Sequence, residues 1–292
     1  MGQAGVAELA SDWYAANARD LPWRRPGTSP YAVLVSEVML QQTPVSRVLP
    51  AFADWIARWP TAASLAAAPS GEAVRQWGRL GYPRRALRLH AACVAIVERH
   101  GGEVPSSVAE LEALPGIGTY TARALAAFAF RQRVPVVDVN VARVVARTGS
   151  GVADGPSSVG SRLLAEVEAL LPADAEEAAT ASVALMELGA LVCTARSPRC
   201  DGCPVAGVCA WRLAGSPVDP LAPPKRGQTY AGTDRQVRGR LLAVLREADG
   251  AVTQRALDAT WPDPVQRARA LDGLVADGLV VPLARGRYAL PG

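Results

Sequence analysis

Lysine is nearly missing from this chain of 292 residues: Lys225 stands alone, and every other basic side chain apart from two histidines is arginine. A phosphate-loop lysine, a cofactor Schiff base or a lysine nucleophile would have to use that one residue, in the string Pro223-Pro-Lys-Arg-Gly. Lysine chemistry is therefore not expected. Histidine is as scarce: His90 and His100 lie in one helical-looking segment, with no partner at metal spacing. No apolar run reaches the ~18 residues of a membrane span, so no membrane partner is expected. The N-terminal stretch has early acids and no basic region ahead of an apolar one, so no secretory leader is expected either. A cytoplasmic, monomeric protein is the expectation, and its five cysteines are not expected to build a disulfide framework. Thirty-one basic against twenty-seven acidic residues leave a net charge of +4, consistent with a nucleic-acid partner without demanding one.

Residues 6 to 213 read as helical, with apolar side chains three and four apart, as at Val33, Leu34, Val38 and Met39, then Val45, Val48, Leu49 and Phe52. Breakers at Arg25-Pro-Gly, Pro60, Gly81-Tyr-Pro, His100-Gly-Gly and Pro115-Gly punctuate the pattern. Ser107-Val-Ala-Glu110 has capping-box form. Sustained strand alternation, heptads and repeats are missing, so the class is all-α, with a main domain over 1–213. Residues 214–232 are proline-rich and read as a linker. Over 233–292 a small module follows, with helices capped by Thr233 and Thr253, a third near Val265 to Val275, and a hairpin around Arg285-Gly286-Arg287. Three helices and a hairpin describe a winged helix. A helical tail docked on the main body is the other reading.

Four of the cysteines, Cys193, Cys200, Cys203 and Cys209, follow the spacing C-x6-C-x2-C-x5-C. Structural zinc sites pair their cysteines as two close couplets, and only Cys200 and Cys203 form one here. A 4Fe–4S cluster fits better than zinc or free thiols. Between the first two cysteines, Arg196 and Arg199 offer guanidinium groups to phosphates, or else decorate a solvated turn. Leu114-Pro-Gly116-Ile-Gly118-Thr-Tyr120 lies between two helical segments. Its glycines permit a tight turn and close backbone approach, and the next helix presents free N–H groups. Phosphate binding and a plain helical turn are the two readings of that string.

Two carboxylates keep apolar company. Glu37 is isolated among Val33, Leu34, Val35, Val38 and Met39; buried, it would have a raised pKa and suit a general acid, and exposed it would merely face solvent. Asp138 follows Val134-Pro-Val-Val and precedes Val139-Asn140, where a helix N-terminus would keep it ionised. An ordinary N-cap is the alternative. A carboxyl pair in opposite protonation states suits acid-assisted cleavage through an oxocarbenium-like transition state.

Taken in order, Leu114-Pro-Gly-Ile-Gly, Val137-Asp138 and the 6-2-5 cysteine spacing resemble the helix-hairpin-helix DNA glycosylases of the endonuclease III superfamily. Ser36-Glu-Val-Met-Leu-Gln-Gln-Thr43 and Leu80-Gly-Tyr82-Pro-Arg-Arg-Ala86 resemble the adenine DNA glycosylases of the MutY type within it, and Leu21-Pro-Trp23, Met186-Glu-Leu-Gly189 and Cys193-Thr194 extend the likeness. The resemblance implies a two-lobed helical fold that takes a base flipped out of double-stranded DNA. It assigns Glu37 as the acid that protonates adenine, and Asp138 as the carboxylate that stabilises the sugar cation. Asn140 and Tyr120 would order the site, and Gln42 and Tyr82 would enter the base stack. Leu114, Gly116 and Gly118 would form the DNA-binding hairpin, and the four cysteines would hold the cluster. Bifunctional relatives carry a lysine nucleophile where Tyr120 stands, so a monofunctional enzyme acting on adenine opposite 8-oxoguanine or guanine is implied. Pro83 departs from the family's second aromatic residue, and no counterpart of the family's C-terminal lesion-reading domain is visible. A thymine or uracil mismatch glycosylase and a non-catalytic iron–sulfur DNA-binding protein are the rival readings.

Overall fold

A computed structural model describes residues 4–156, 158–217 and 230–292. Lys225 and most of the proline-rich linker lie outside the described residues. In chain order the helices are α1 (Ala4–Asn17), α2 (Pro30–Leu40), α3 (Val45–Arg58), α4 (Ala62–Ala66), α5 (Ser70–Trp77), α6 (Arg84–His100), α7 (Val108–Glu112) and α8 (Thr119–Phe128). There follow α9 (Val139–Val145), α10 (Ser161–Leu170), α11 (Ala175–Leu191) and α12 (Ala210–Leu213), then α13 (Asp234–Glu247), α14 (Gln254–Asp258) and α15 (Pro264–Ala276). The strands are β1 (Val252–Thr253), β2 (Val281–Leu283) and β3 (Arg287–Ala289). The chain is thus all-α apart from this small sheet. It divides into two compact units, neither a single stretch: Met1–Leu34, Ser106–Glu112 and Ile117–Pro223 form one; Val35–Pro105, Ala113–Gly116 and Pro224–Gly292 form the other.

In the first unit, α1 lies along α11 through small residues, with Ala7 meeting Ala178 and Ala181. The larger core sets Val137, Val141 and Val144 of the α9 region against Leu185 and Leu188 of α11 and Leu163 and Val167 of α10. Gly189 lets α9 and α11 approach closely, since a Cβ there would sit 2.7 Å from the Asn140 Cβ. Glu187, wholly buried on α11, accepts from Arg19 at 2.6 Å and lies 2.9 Å from Arg24. These guanidinium bonds offset its burial and hold the carboxyl below an ordinary glutamate value, while pinning the chain after α1 to α11.

The second unit is built on α3, α5 and α6. Trp55 meets Trp59 and Trp77 edge-on, at centroid separations of 4.9 and 5.6 Å. Ala86, Leu89, Cys93 and Ile96 recur along the buried stripe of α6, which ends at Gly101 in the left-handed conformation. Cys93 is an apolar core residue whose thiol burial pushes up to about 12. In the C-terminal part the helices and the hairpin of β2 and β3 fall where the sequence predicts. The sequence reading missed β1, which pairs with β3 through Val252 opposite Tyr288 and makes the antiparallel order β1-β3-β2. Thr253 caps α14 as expected, accepting from the Ala256 N–H. Thr233 occupies the N-cap position of α13 but makes no side-chain cap bond; its hydroxyl donates to the Tyr230 carbonyl at 2.7 Å. These elements also dock on α5: Gly71 N–H donates to the Pro291 carbonyl at 2.8 Å, Arg75 to the Ala248 carbonyl at 2.9 Å, and Arg246 to the Val74 carbonyl at 2.9 Å. Among the described residues no helix is long and apolar enough to cross a membrane.

Candidate active site and cluster loop

Asp138 is the N-cap of α9. One carboxylate oxygen accepts from the Asn140 and Val141 N–H groups at 2.9 and 2.8 Å, and the other accepts from the Asn140 side-chain amide at 2.7 Å. Both sequence readings of Asp138, an N-cap and a carboxylate beside a helix end, describe the same geometry. The helix end does not set the direction of its shift. Burial outweighs those bonds and lifts the carboxyl above an ordinary aspartate value, because desolvation acts on the charged form and the helix end relieves only part of it. Tyr120, at the start of α8, packs with Phe128, Val134 and Met186 around Ala124, Ala127 and Val136.

Asn140 is oriented in turn by a residue that sequence reading missed. Arg143, one helical turn on and buried, donates to the Asn140 side-chain oxygen at 2.9 Å, the Gly189 carbonyl at 2.7 Å and the Cys193 carbonyl at 2.7 Å. One guanidinium therefore spans the Asp138–Asn140 pair and the first cysteine of the loop. Arg147, four residues further, donates to the Cys193 Sγ at 3.3 Å and the Thr194 carbonyl at 2.9 Å, and stacks 4.5 Å from the Trp211 ring. The only sequence signal for this pair is the spacing of two arginines one turn apart on α9 and its continuation.

All four cysteines, Cys193, Cys200, Cys203 and Cys209, line one pocket with Val192, Val205, Trp211 and Arg147. Four soft sulfurs, an apolar wall and a cation directed at one sulfur suit an iron–sulfur cluster, which is anionic and thiolate-bound. Arg196 is exposed in the loop between the first two cysteines. Arg199 is exposed as well, but its guanidinium turns back to the Leu191 carbonyl.

The second unit carries the other predicted residues except Gly118, which belongs to the first. Glu37 lies on α2, where every residue from Tyr31 to Met39 is buried, and Glu37 itself is only 6% exposed. The reading of α2 as amphipathic with Glu37 facing water is therefore excluded; a helix apolar all round belongs in a core. Gln42 and Tyr82 both adopt left-handed backbone, with φ of 54° and 47°. Tyr82 is half exposed. The two loops meet through Arg85, which donates to the Gln41 carbonyl at 2.5 Å, the Thr43 hydroxyl at 2.9 Å and the Gly81 carbonyl at 3.0 Å. Arg85 too was missed, because most of its partners lie more than forty residues away, on the other loop. In the hairpin, Gly116 (φ +76°) lies against α6: a Cβ would meet the Arg88 Cβ at 2.7 Å. Leu114 is buried and supports the turn from inside, and Gly118 is the N-cap of α8. Thus the structure brings together Asp138 with Asn140, the four cysteines with one another, and the Gln42 loop with the Tyr82 loop. Glu37 belongs to the second unit and Asp138 to the first.

A family model for the HhH-GPD superfamily of base excision DNA repair proteins matches residues 35–168, and one for the iron–sulfur binding domain of endonuclease III matches residues 193–209. The chain therefore carries a 4Fe–4S cluster domain. It is 57% identical over 281 residues to the adenine DNA glycosylase of Mycobacterium tuberculosis, covering 96% of this chain and 91% of the relative. Against that of Mycolicibacterium smegmatis the figures are 58% identity over 286 residues, 98% and 95%. Against the human enzyme they are 40% over 244 residues, 75% and 44%. Among solved structures, a thermostable thymine-DNA glycosylase aligns with a TM-score of 0.65 at 24% identity, over 73% of this chain and 97% of that one. A non-covalent endonuclease III–DNA complex gives 0.61 at 21%, over 74% and 98%. Both show the fold.

Proposed function

The chain belongs to the adenine DNA glycosylase family, and is thus a DNA-binding hydrolase of base excision repair that removes adenine; from that premise we propose that the adenine it removes is the one mispaired with 8-oxoguanine or guanine. The observation that carries the catalytic reading is that both carboxyls are withdrawn from bulk water on helices of the fold: Glu37, 6% exposed, lies within α2, and Asp138, partly buried, caps α9.

Glu37 is the general acid. Loss of adenine as an anion is slow, and proton transfer from a positioned carboxyl contributes about 10²–10⁴-fold. Asp138 faces the sugar as the C–N bond lengthens and stabilises the oxocarbenium character, after which water completes the hydrolysis and an abasic site remains. Asn140 fixes the direction of Asp138, and Arg143 fixes that of Asn140. Flipping is required because a stacked base hides its glycosidic bond. Gln42 and Tyr82 fill the stack, and the Leu114–Gly118 hairpin receives a phosphate at the start of α8. Arg196 adds a phosphate contact from the cysteine loop, and Arg199 joins it once released from the Leu191 carbonyl. Cys193, Cys200, Cys203 and Cys209 hold the cluster, which fixes the shape of that loop and supplies no group to the bond that breaks. With Tyr120 at the hairpin and no lysine there, the enzyme has no lyase step.

The chain functions as a monomer on cytoplasmic DNA, with a glycosylase domain at 1–213, a connector at 214–232 and a winged-helix-like module at 233–292. A strand-nicking assay tests the reading. Duplexes carrying adenine opposite 8-oxoguanine or guanine are expected to break at the adenine only after hot alkali. Breakage without alkali would disprove the monofunctional assignment, and cleavage confined to thymine opposite guanine would move the substrate to thymine.

A further inference from the structure

Arg85 is a buried cation with no carboxylate among its hydrogen-bond partners within the described residues. The residue is 6% exposed, and burial pulls its guanidinium down to about 10, still protonated at neutral pH. Its compensation comes from backbone. Nη1 points at the carbonyls of Val38, Met39 and Gln41 at 2.8, 3.0 and 2.5 Å, the last turn of α2 and the residue just beyond it. A helix C-terminus leaves such carbonyls without intrahelical partners and carries partial negative charge, so a cation is well placed there. Nη2 reaches in another direction, to the Thr43 hydroxyl and the Gly81 carbonyl. The Gly81 carbonyl also accepts from the Trp77 indole at 2.9 Å, and the Tyr82 ring centroid is 5.6 Å from the guanidinium carbon.

A helix cap needs only the first of these contacts. Arg85 makes a second set, and that set reaches Thr43 and Gly81, beside the tips Gln42 and Tyr82 of two loops that both hold left-handed backbone. For residues with a Cβ that conformation is costly and persists only where neighbours enforce it. A planar fork can serve both loops at once; an ammonium, as a point charge, cannot.

We propose that Arg85 is the positioning residue that presets the Gln42 and Tyr82 tips as one element, and that it thereby sets the discrimination of the base opposite adenine rather than the rate of bond cleavage. This rests on the reading that both tips enter the base stack. Tips already fixed lose less conformational freedom on meeting DNA, and that saving is greatest where both tips find complementary surface. Loosened tips still bind a duplex but distinguish one opposite base from another less sharply.

The test is Arg85→Lys in the full chain with its cluster, read by amide hydrogen exchange and by binding. The amides of residues 41–43 and 81–82 are expected to exchange about tenfold faster, together, as a charge-assisted bond is lost from each loop. Those inside α2 should stay as slow as in the parent. The affinity ratio between duplexes with adenine opposite 8-oxoguanine and opposite guanine is expected to fall about tenfold, while the single-turnover excision rate at saturating DNA stays within about threefold. Faster exchange in one loop only, in neither, or in α2 with an equal loss of excision rate would overturn the proposal in favour of a plain helix cap. Should Arg85→Lys fail to fold, Thr43→Val removes one acceptor, and it must shift exchange at 41–43 and the affinity ratio the same way by less; no shift overturns the proposal. Gln42→Ala and Tyr82→Ala test the underlying reading separately. If neither changes DNA affinity, the tips do not meet DNA, and that reading fails whatever the exchange data show.

Discussion

The two carboxyls assigned to catalysis are held in opposite ways. Asp138 stands at a helix start, where three N–H groups within three residues converge on it and the Asn140 amide is itself fixed by Arg143. Glu37 stands inside α2, between Ser36 and Val38, on a helix buried on every side. One carboxyl lies at a helix start against backbone N–H groups; the other lies within a helix whose residues from Tyr31 to Met39 are buried. The difference teaches that one fold can withdraw two carboxyls from bulk water by different routes, one at a helix start and one within a buried helix.

The largest effect is expected from removing the proton at its source. Glu37→Gln should lower the single-turnover excision rate by about 10³-fold or more while duplex affinity holds, measured by quenched-flow nicking and by gel shift. Asp138→Asn comes next, with an excision loss of about 10²-fold or more. Its stability should move the other way. Because burial raises the Asp138 carboxyl above its ordinary value, the ionised group costs free energy at neutral pH, and that cost disappears as pH falls through the raised value. The variant should therefore unfold at an equal or higher denaturant midpoint than the parent at pH 7, and the gap should narrow on acidification. A midpoint well below the parent's at pH 7 would show that the charged cap stabilises the fold outright.

Arg143→Gln sharpens the comparison further, since it leaves both carboxyls in place and removes the brace on Asn140 along with the bonds to the Gly189 and Cys193 carbonyls. An excision loss of about tenfold is expected with the iron–sulfur absorbance retained and affinity little changed. The smallest effect belongs to a contact remote from both carboxyls. Arg75→Ala, which cuts the tie from α5 to the Ala248 carbonyl, should cost about 1–2 kcal/mol by chemical denaturation and leave excision unaltered.

The legibility of these features in sequence follows how local their causes are. Asp138 as a cap was readable because its donors lie within three residues. The fourfold cysteine spacing was readable for the same reason, and so were the breakers that end the helices. The ionisation of Asp138 was not, because desolvation depends on what packs above it. Arg85, Arg143 and Arg147 were invisible as braces: each reaches at least one partner about forty or more residues away, and nothing in an arginine's sequence neighbours marks which distant atom it will meet. β1 was hidden by its two-residue length, and Thr233 takes the N-cap position the sequence marks without its side chain making the cap bond. The docking of the C-terminal elements on α5 rests on Gly71, where a Cβ would fall 2.2 Å from the Pro291 carbonyl oxygen; only the folded chain reveals that requirement.

The division of labour between the two carboxyls is tested most directly by adenine release from a duplex with adenine opposite 8-oxoguanine, comparing the parent with Glu37→Gln in a single turnover. The account predicts a variant that binds as the parent does, keeps its iron–sulfur absorbance and releases almost no adenine. Release at the parent's rate from that variant would contradict it.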